Sequence, residues 1–209
     1  MKQTIYILAL LTLTACGQLD SIPYTPAQTP ETWLQIQPYA QFKDVIFVQP
    51  STSIIVYLLG IITIVIGFFF LKTRNGQRSR LWWGIALLLW GIGALLAGTS
   101  YEAFSYAIKC AGRDACLWTS WWEVLYLIAS VWSIDAMMLA VAHSSITGKV
   151  RAALSMYALL NAVVYFIVVI VGAFIPVKFL ISFELLLIVA APSIIAFFII
   201  NSQAKIHIW

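Results

Sequence analysis

Charge is what this sequence has least of. Only 10% of its 209 residues are Asp, Glu, Lys or Arg, against roughly a quarter in soluble domains. Together with 62% hydrophobic residues and a mean hydropathy of +0.95, this excludes an ordinary soluble domain and indicates a polytopic membrane protein. Histidine is also scarce: His143 and His207 stand 64 positions apart, which is no metal-binding pattern. The three cysteines include no Cys-x-x-Cys and leave no second pair for an electron relay. The chain has no glycine-rich phosphate loop, nucleophile elbow, internal repeat or low-complexity tract. Its basic residues lie beside hydrophobic runs rather than on one patch, so no nucleic-acid partner is expected. No cofactor or metal is expected either.

The N-terminus has a different character. Lys2 is a short basic start, and Ile5 to Leu13 is an apolar core too short to span a membrane. Leu13-Thr14-Ala15-Cys16 follows and resembles the lipobox of bacterial lipoproteins. That resemblance implies a signal peptide over 1–15, cleavage before Cys16, and lipid on Cys16. Residues 16–50 are polar and carry five of the seven prolines, which suggests an external, lipid-anchored tether in extended form. An alternative reading gives Trp33, Ile36, Tyr39, Phe42 and Ile46 a short amphipathic piece lying on the bilayer surface.

From residue 51 to 209 the expected fold is all-α, a transmembrane bundle of five spans near 52–71, 81–107, 119–142, 151–174 and 178–200. The segment from Lys72 to Arg80 holds four positive charges and no acid, so the positive-inside rule places it in the cytoplasm. Lys149, Arg151 and Lys205 then fall on the same side, and Lys109, Arg113, Asp114 and Lys178 face outward. A lipidated Cys16 also requires an external N-terminus. The expected location is a bacterial inner membrane, N-terminus out and C-terminus in. The first span has no charge and reads as lipid-facing. In the second, the pairs Gly93/Ala97 and Ala94/Gly98 offer close approach to a neighbouring helix. Tryptophans 82, 83, 118, 121 and 122 fall at expected interfaces.

Thr99 to His143 concentrates the chemistry. It contains four of the eight acidic residues, two of the cysteines and four of the nine tryptophans. Glu102 and Glu123 should sit at similar depth on adjacent spans, with Glu184 about 9 Å into the fifth. Three carboxylates in one dry place would repel unless protonated or joined by a cation. Lys109, Arg113 and Lys178 supply positive charge on that side, and Ser100, Tyr101 and Tyr106 supply hydroxyls. One reading is an outward-facing polar pocket of Glu102, Glu123, Glu184, Tyr101 and Tyr106. The other sends each carboxylate separately to the interface. Asp135 lies deep in hydrocarbon, where an ionisable group should turn inward. It is expected to bond one of Tyr157, Asn161 or Ser193, either as a polar clamp or as a proton relay. His143, about 12 Å further along the helix, stands at the boundary. Cys110 and Cys116 share one external loop, and an oxidising compartment favours their disulfide.

Ser100, Asp135 and His143 on successive spans are similar to a residue set of the ceramidase-like and progestin-receptor-like membrane hydrolases. The resemblance implies a lipid hydrolase in which serine, aspartate and histidines hold zinc. This chain lacks that family's His-x-x-x-His pair and has five expected spans instead of seven, so zinc is not carried over. Catalytic candidates are Asp135, Glu123, Ser100 and His143. Three functions follow: a non-enzymatic membrane component, a small proton- or cation-coupled transporter, and a membrane-embedded lipid hydrolase. Expected partners are membrane lipids, then a second copy of the chain or another membrane protein packed on the glycine-rich second span.

Overall fold

The structure is a computed structural model and describes residues 17–206, with side chains to residue 202. The lipobox, Cys16 and His207 lie outside the described residues. The fold is all-α apart from one two-stranded hairpin. Among the described residues, five helices are long and apolar enough to cross a membrane: α2 (Pro50–Lys72), α3 (Arg78–Ala97), α5 (Trp121–Ser145), α6 (Gly148–Phe174) and α7 (Phe183–Ile206). Two shorter helices, α1 (Pro30–Gln35) and α4 (Ser105–Lys109), lie outside those spans. The chain is therefore a polytopic membrane protein.

Helix α5 is the axis of the bundle. Two-thirds of its most apolar window is buried, against less than a third in every other span. It packs on α3, α6 and α7, and α2 is added on the far side of α3. Its Val124, Leu127, Ile128 and Val131 pack in one cluster with Tyr165 and Val169 of α6 and Leu186 and Ala190 of α7. Hydroxyls reinforce the contact with α3: Ser133 Oγ donates to the Ala86 carbonyl (2.9 Å) and Ser79 Oγ to the Ala140 carbonyl (2.7 Å).

The first span is not simply lipid-facing. Gly60 and Gly67 of α2 lie against Gly91 and Gly84 of α3, each pair seven residues apart along its helix. A Cβ on Gly91 would stand 2.7 Å from the Gly60 carbonyl oxygen, so the backbones touch only because side chains are missing. Gly93 and Gly98, expected to admit neighbouring helices, do face them: Gly93 lies by Ala129 and Tyr126 of α5, and Gly98 by Val56 and Tyr57 of α2. The i, i+7 spacing, one stripe repeated every two turns, is the pattern that selects the α2–α3 seam.

The segment expected to be an extended tether is folded. After a 3-10 turn at Leu19–Ser21, α1 starts with Pro30 at its first position and a reciprocal Thr29/Thr32 cap. Strands β1 (Tyr39–Phe42) and β2 (Val45–Val48) pair antiparallel around Lys43 and Asp44. Gln49, in the left-handed region, turns the chain so that Pro50 opens α2. Pro30 and Pro50 thus occupy helix starts, where a missing N–H costs nothing. Leu19, Ile22, Trp33 and Val48 are buried, so this segment is a cap seated on one end of the bundle. Ile36, Tyr39 and Phe42 remain exposed.

Candidate functional site

The cap covers a dry polar cluster. Lys109 closes α4 and Glu123 opens α5; the two are 1% and 2% exposed and form an ion pair. Ser100 Oγ donates to Glu123 Oε1 at 2.6 Å and stands 2.8 Å from the Ser120 hydroxyl. With its one proton given to Glu123, Ser100 accepts from Ser120. The Lys109 ammonium also stands over the rings of Tyr101 (4.9 Å) and Trp33 (5.8 Å), a favourable place for a desolvated cation.

A local break in α3 makes this meeting possible. Gly98–Ala103 is π-helical, with Phe104 N–H donating to the Thr99 carbonyl five residues back. The wide turn sets Ser100 inward while Tyr101 turns outward, 42% exposed. Such bulges are enriched at functional sites. Beyond it, Cys110 and Cys116 form the expected disulfide, and Trp33, Tyr24 and Tyr106 pack around it. Burial, and then the Glu123 charge, push the Tyr24 hydroxyl up to about 12. The cap's exposed acid behaves oppositely: its own N–H and the Thr29 hydroxyl hold the Glu31 carboxyl below the usual range.

Of the five residues expected in one outward polar pocket, the structure does not bring all together. Glu123 is sealed beneath the cap. Glu184 stands exposed at the start of α7, beside Ser182. It was expected about 9 Å into the fifth span, but a 3-10 turn occupies Lys178–Ile181 and α7 begins only at Phe183, so Glu184 falls in the first turn. Glu102 is half-buried, and its Oε2 has no hydrogen-bond partner among the described residues. Tyr106 belongs to the disulfide cluster. Only Lys109 of the three expected cations meets a pocket carboxylate. Arg113 pairs with Asp20 of the cap at 3.0 Å, and Lys178 donates to Thr25 Oγ1 at 3.0 Å. Those two cations hold the cap down instead.

Asp135 forms a second, separate cluster. It is 3% exposed. Asn161 Nδ2 donates to both of its oxygens (3.1 and 3.0 Å), and Ser193 Oγ donates to Oδ1 (2.5 Å). Two of the three expected partners are therefore present, and Tyr157 lies beside Ser193. One carboxylate thus clamps α5, α6 and α7. One side of Asp135 also reaches the floor of a cleft of about 520 Å³ between α3 and α6.

His143 is elsewhere again. It is half-buried at the opposite end of the bundle from the cap, with Arg78 and Arg151, in a cavity of about 530 Å³. Ser100, Asp135 and His143 therefore occupy three levels and form no common centre. Glu123 and Asp135 are twelve residues apart on α5, about 18 Å, and His143 is about 12 Å further. The set that resembled a hydrolase does not converge. What sequence reading missed is the cover, Trp33 above all, and the cleft, whose walls come from helices distant in sequence. No protein-family model matches the chain, and no curated protein or solved structure matches it either.

Proposed function

We propose that this chain is a non-enzymatic component of a bacterial inner membrane, a lipoprotein whose bundle carries a rigid cap on the outer face. The carrying observation is that both deeply buried carboxylates are committed to structure, Glu123 to Lys109 and Asp135 to Asn161 and Ser193. Orientation is supported by the two ends. The disulfide and cap lie at one, where an oxidising compartment suits them. Lys72, Arg74, Arg78, Arg80, Lys149 and Arg151 lie at the other, which holds no acidic residue, as the positive-inside rule asks of a cytoplasmic face. The lipobox immediately precedes the cap, which agrees with an anchor at the outer leaflet.

A second reading is favoured by one feature: Asp135 reaches a cleft that opens between helices, so proton-coupled transport or lipid hydrolysis has a carboxyl group within reach. One experiment separates them. Purified protein is reconstituted in vesicles containing a pH-sensitive dye and mixed phospholipids with ceramide. Proton flux equal to that of protein-free vesicles, with all lipids recovered intact, is the expected result. Flux or hydrolysis that disappears in Asp135→Asn would overturn the non-enzymatic reading. Labelling with a fatty-acid probe, lost in Cys16→Ser, tests the lipoprotein assignment.

A further inference from the structure

The basic end and the cleft above it form one continuous surface. The cavity at His143, Arg78 and Arg151 shares two wall residues, Trp82 and Ser155, with the apolar cleft between α3 and α6. Helices α3 and α6 flank α5 and scarcely touch each other, which leaves the cleft open between them. On α3 the wall runs Arg78, Trp82, Ile85, Leu89, in steps of three or four that keep to one helical face. On α6 it runs Arg151, Ser155, Ala158, Ala162, and the small residues at the deep end keep that wall low.

Length and charge point to the occupant. From Arg78 to Leu89 is eleven residues, about 16 Å of helix, or half of a hydrocarbon core about 30 Å thick. The cleft thus has the depth of a single leaflet. Its mouth holds two guanidiniums and an imidazole, and neither arginine has a carboxylate partner among the described residues. Gly148, with a positive φ, opens α6 at this mouth and leaves it clear of side chain. We propose that this surface binds one anionic phospholipid, its phosphate between Arg78, Arg151 and His143 and one acyl chain lying along the cleft toward Asp135. A free phosphate would have no use for the apolar wall. An uncharged partner helix would leave the arginines unanswered. The proposal deepens the reading of the chain as a membrane component and holds for either orientation, because it concerns only the leaflet at the basic end.

The test uses full-length protein in phosphatidylcholine vesicles containing phosphatidylglycerol brominated on its acyl chains, which quenches nearby tryptophans; Trp82 and Trp132 line the cleft. Brominated phosphatidylglycerol should quench at lower mole fraction than brominated phosphatidylcholine. Arg78→Ala should lower that selectivity about fivefold, and Arg78→Ala/Arg151→Ala should bring it near parity. Ala162→Phe, which fills the cleft and keeps both arginines, should also abolish selective quenching. Arg74→Ala/Lys149→Ala, equal in charge change at the same end but outside the cavity, should retain it. Equal loss in that control would show only general surface attraction and overturn the proposal. So would unchanged selectivity in the Arg78/Arg151 variant, or displacement of the lipid by inorganic phosphate. If the double arginine variant does not fold, Ala162→Phe decides alone, because selectivity surviving a filled cleft overturns the site. Flux and hydrolysis in the same vesicles are separate readouts, so failure of lipid selectivity leaves the non-enzymatic reading standing.

Discussion

The two ends of this bundle treat charge in opposite ways. At the cap end, acids outnumber bases and two cations find a carboxylate of the same chain: Lys109 meets Glu123 in a buried interior, and Arg113 meets Asp20 at the surface. At the basic end, arginines and lysines stand without acids around an open mouth. The first arrangement closes a structure upon itself. The second leaves an attraction for something the protein does not supply. A count of charged residues says little here, because their function depends on whether the countercharge belongs to the same chain.

Unpairing the buried charges beneath the cap should have the largest effect. Lys109→Ala strands Glu123 without a countercharge and should cost about 3–5 kcal/mol in a denaturant titration of the detergent-solubilised protein. Lys109→Met/Glu123→Leu, which removes both charges, should recover most of that loss. Recovery would identify the pair as structural; a double variant as unstable as the single would refute that. Next in size, Cys110→Ser/Cys116→Ser should cost about 2–3 kcal/mol by the same measurement, since the bond closes a loop separated by 6 positions.

At the basic end the corresponding change should do almost nothing to stability. Arg78→Ala/Arg151→Ala removes charges with no carboxylate partner among the described residues, and its midpoint should stay within about 0.5 kcal/mol of the parent. A large loss would mean that these arginines hold the structure together and the ends do not differ as described. The smallest effect belongs to Tyr24. Its hydroxyl keeps its proton to about pH 12 when folded, against 10.0 when free. The stability it contributes is complete below pH 10.0 and is lost as pH rises through about 12. Alkaline titration should loosen the cap over that window, followed by near-ultraviolet dichroism, and Tyr24→Phe should flatten that part of the curve.

Much of this was legible in the residues. Apolar runs of membrane length placed five spans, because length and hydropathy are local properties. Asp135 had to turn inward, because a carboxyl in hydrocarbon requires donors, and Asn161 and Ser193 lay at matching depth. Lys109 was among the cations available to Glu123, and the two cysteines were close enough in sequence to join. The cap was less legible. Five prolines argue against a long helix, but two of them sit at helix starts and leave room for compact structure. Glu184 shows the limit of depth arguments: the apolar run begins near Lys178, but a 3-10 turn takes up Lys178–Ile181 and the helix starts at Phe183, so the residue lies in the first turn rather than about 9 Å in.

By itself, the sequence determined the spans, the basic and disulfide-bearing ends, and the need for polar company around Asp135. Each follows from the transfer cost of a residue or from a short chain separation. Tertiary structure alone decided that Trp33 would lie over Lys109, that Gly60 would meet Gly91, and that α3 and α6 would part to leave a cleft. Those outcomes depend on packing between segments far apart in the chain, where the mutual rotation and approach of whole helices select the contacts.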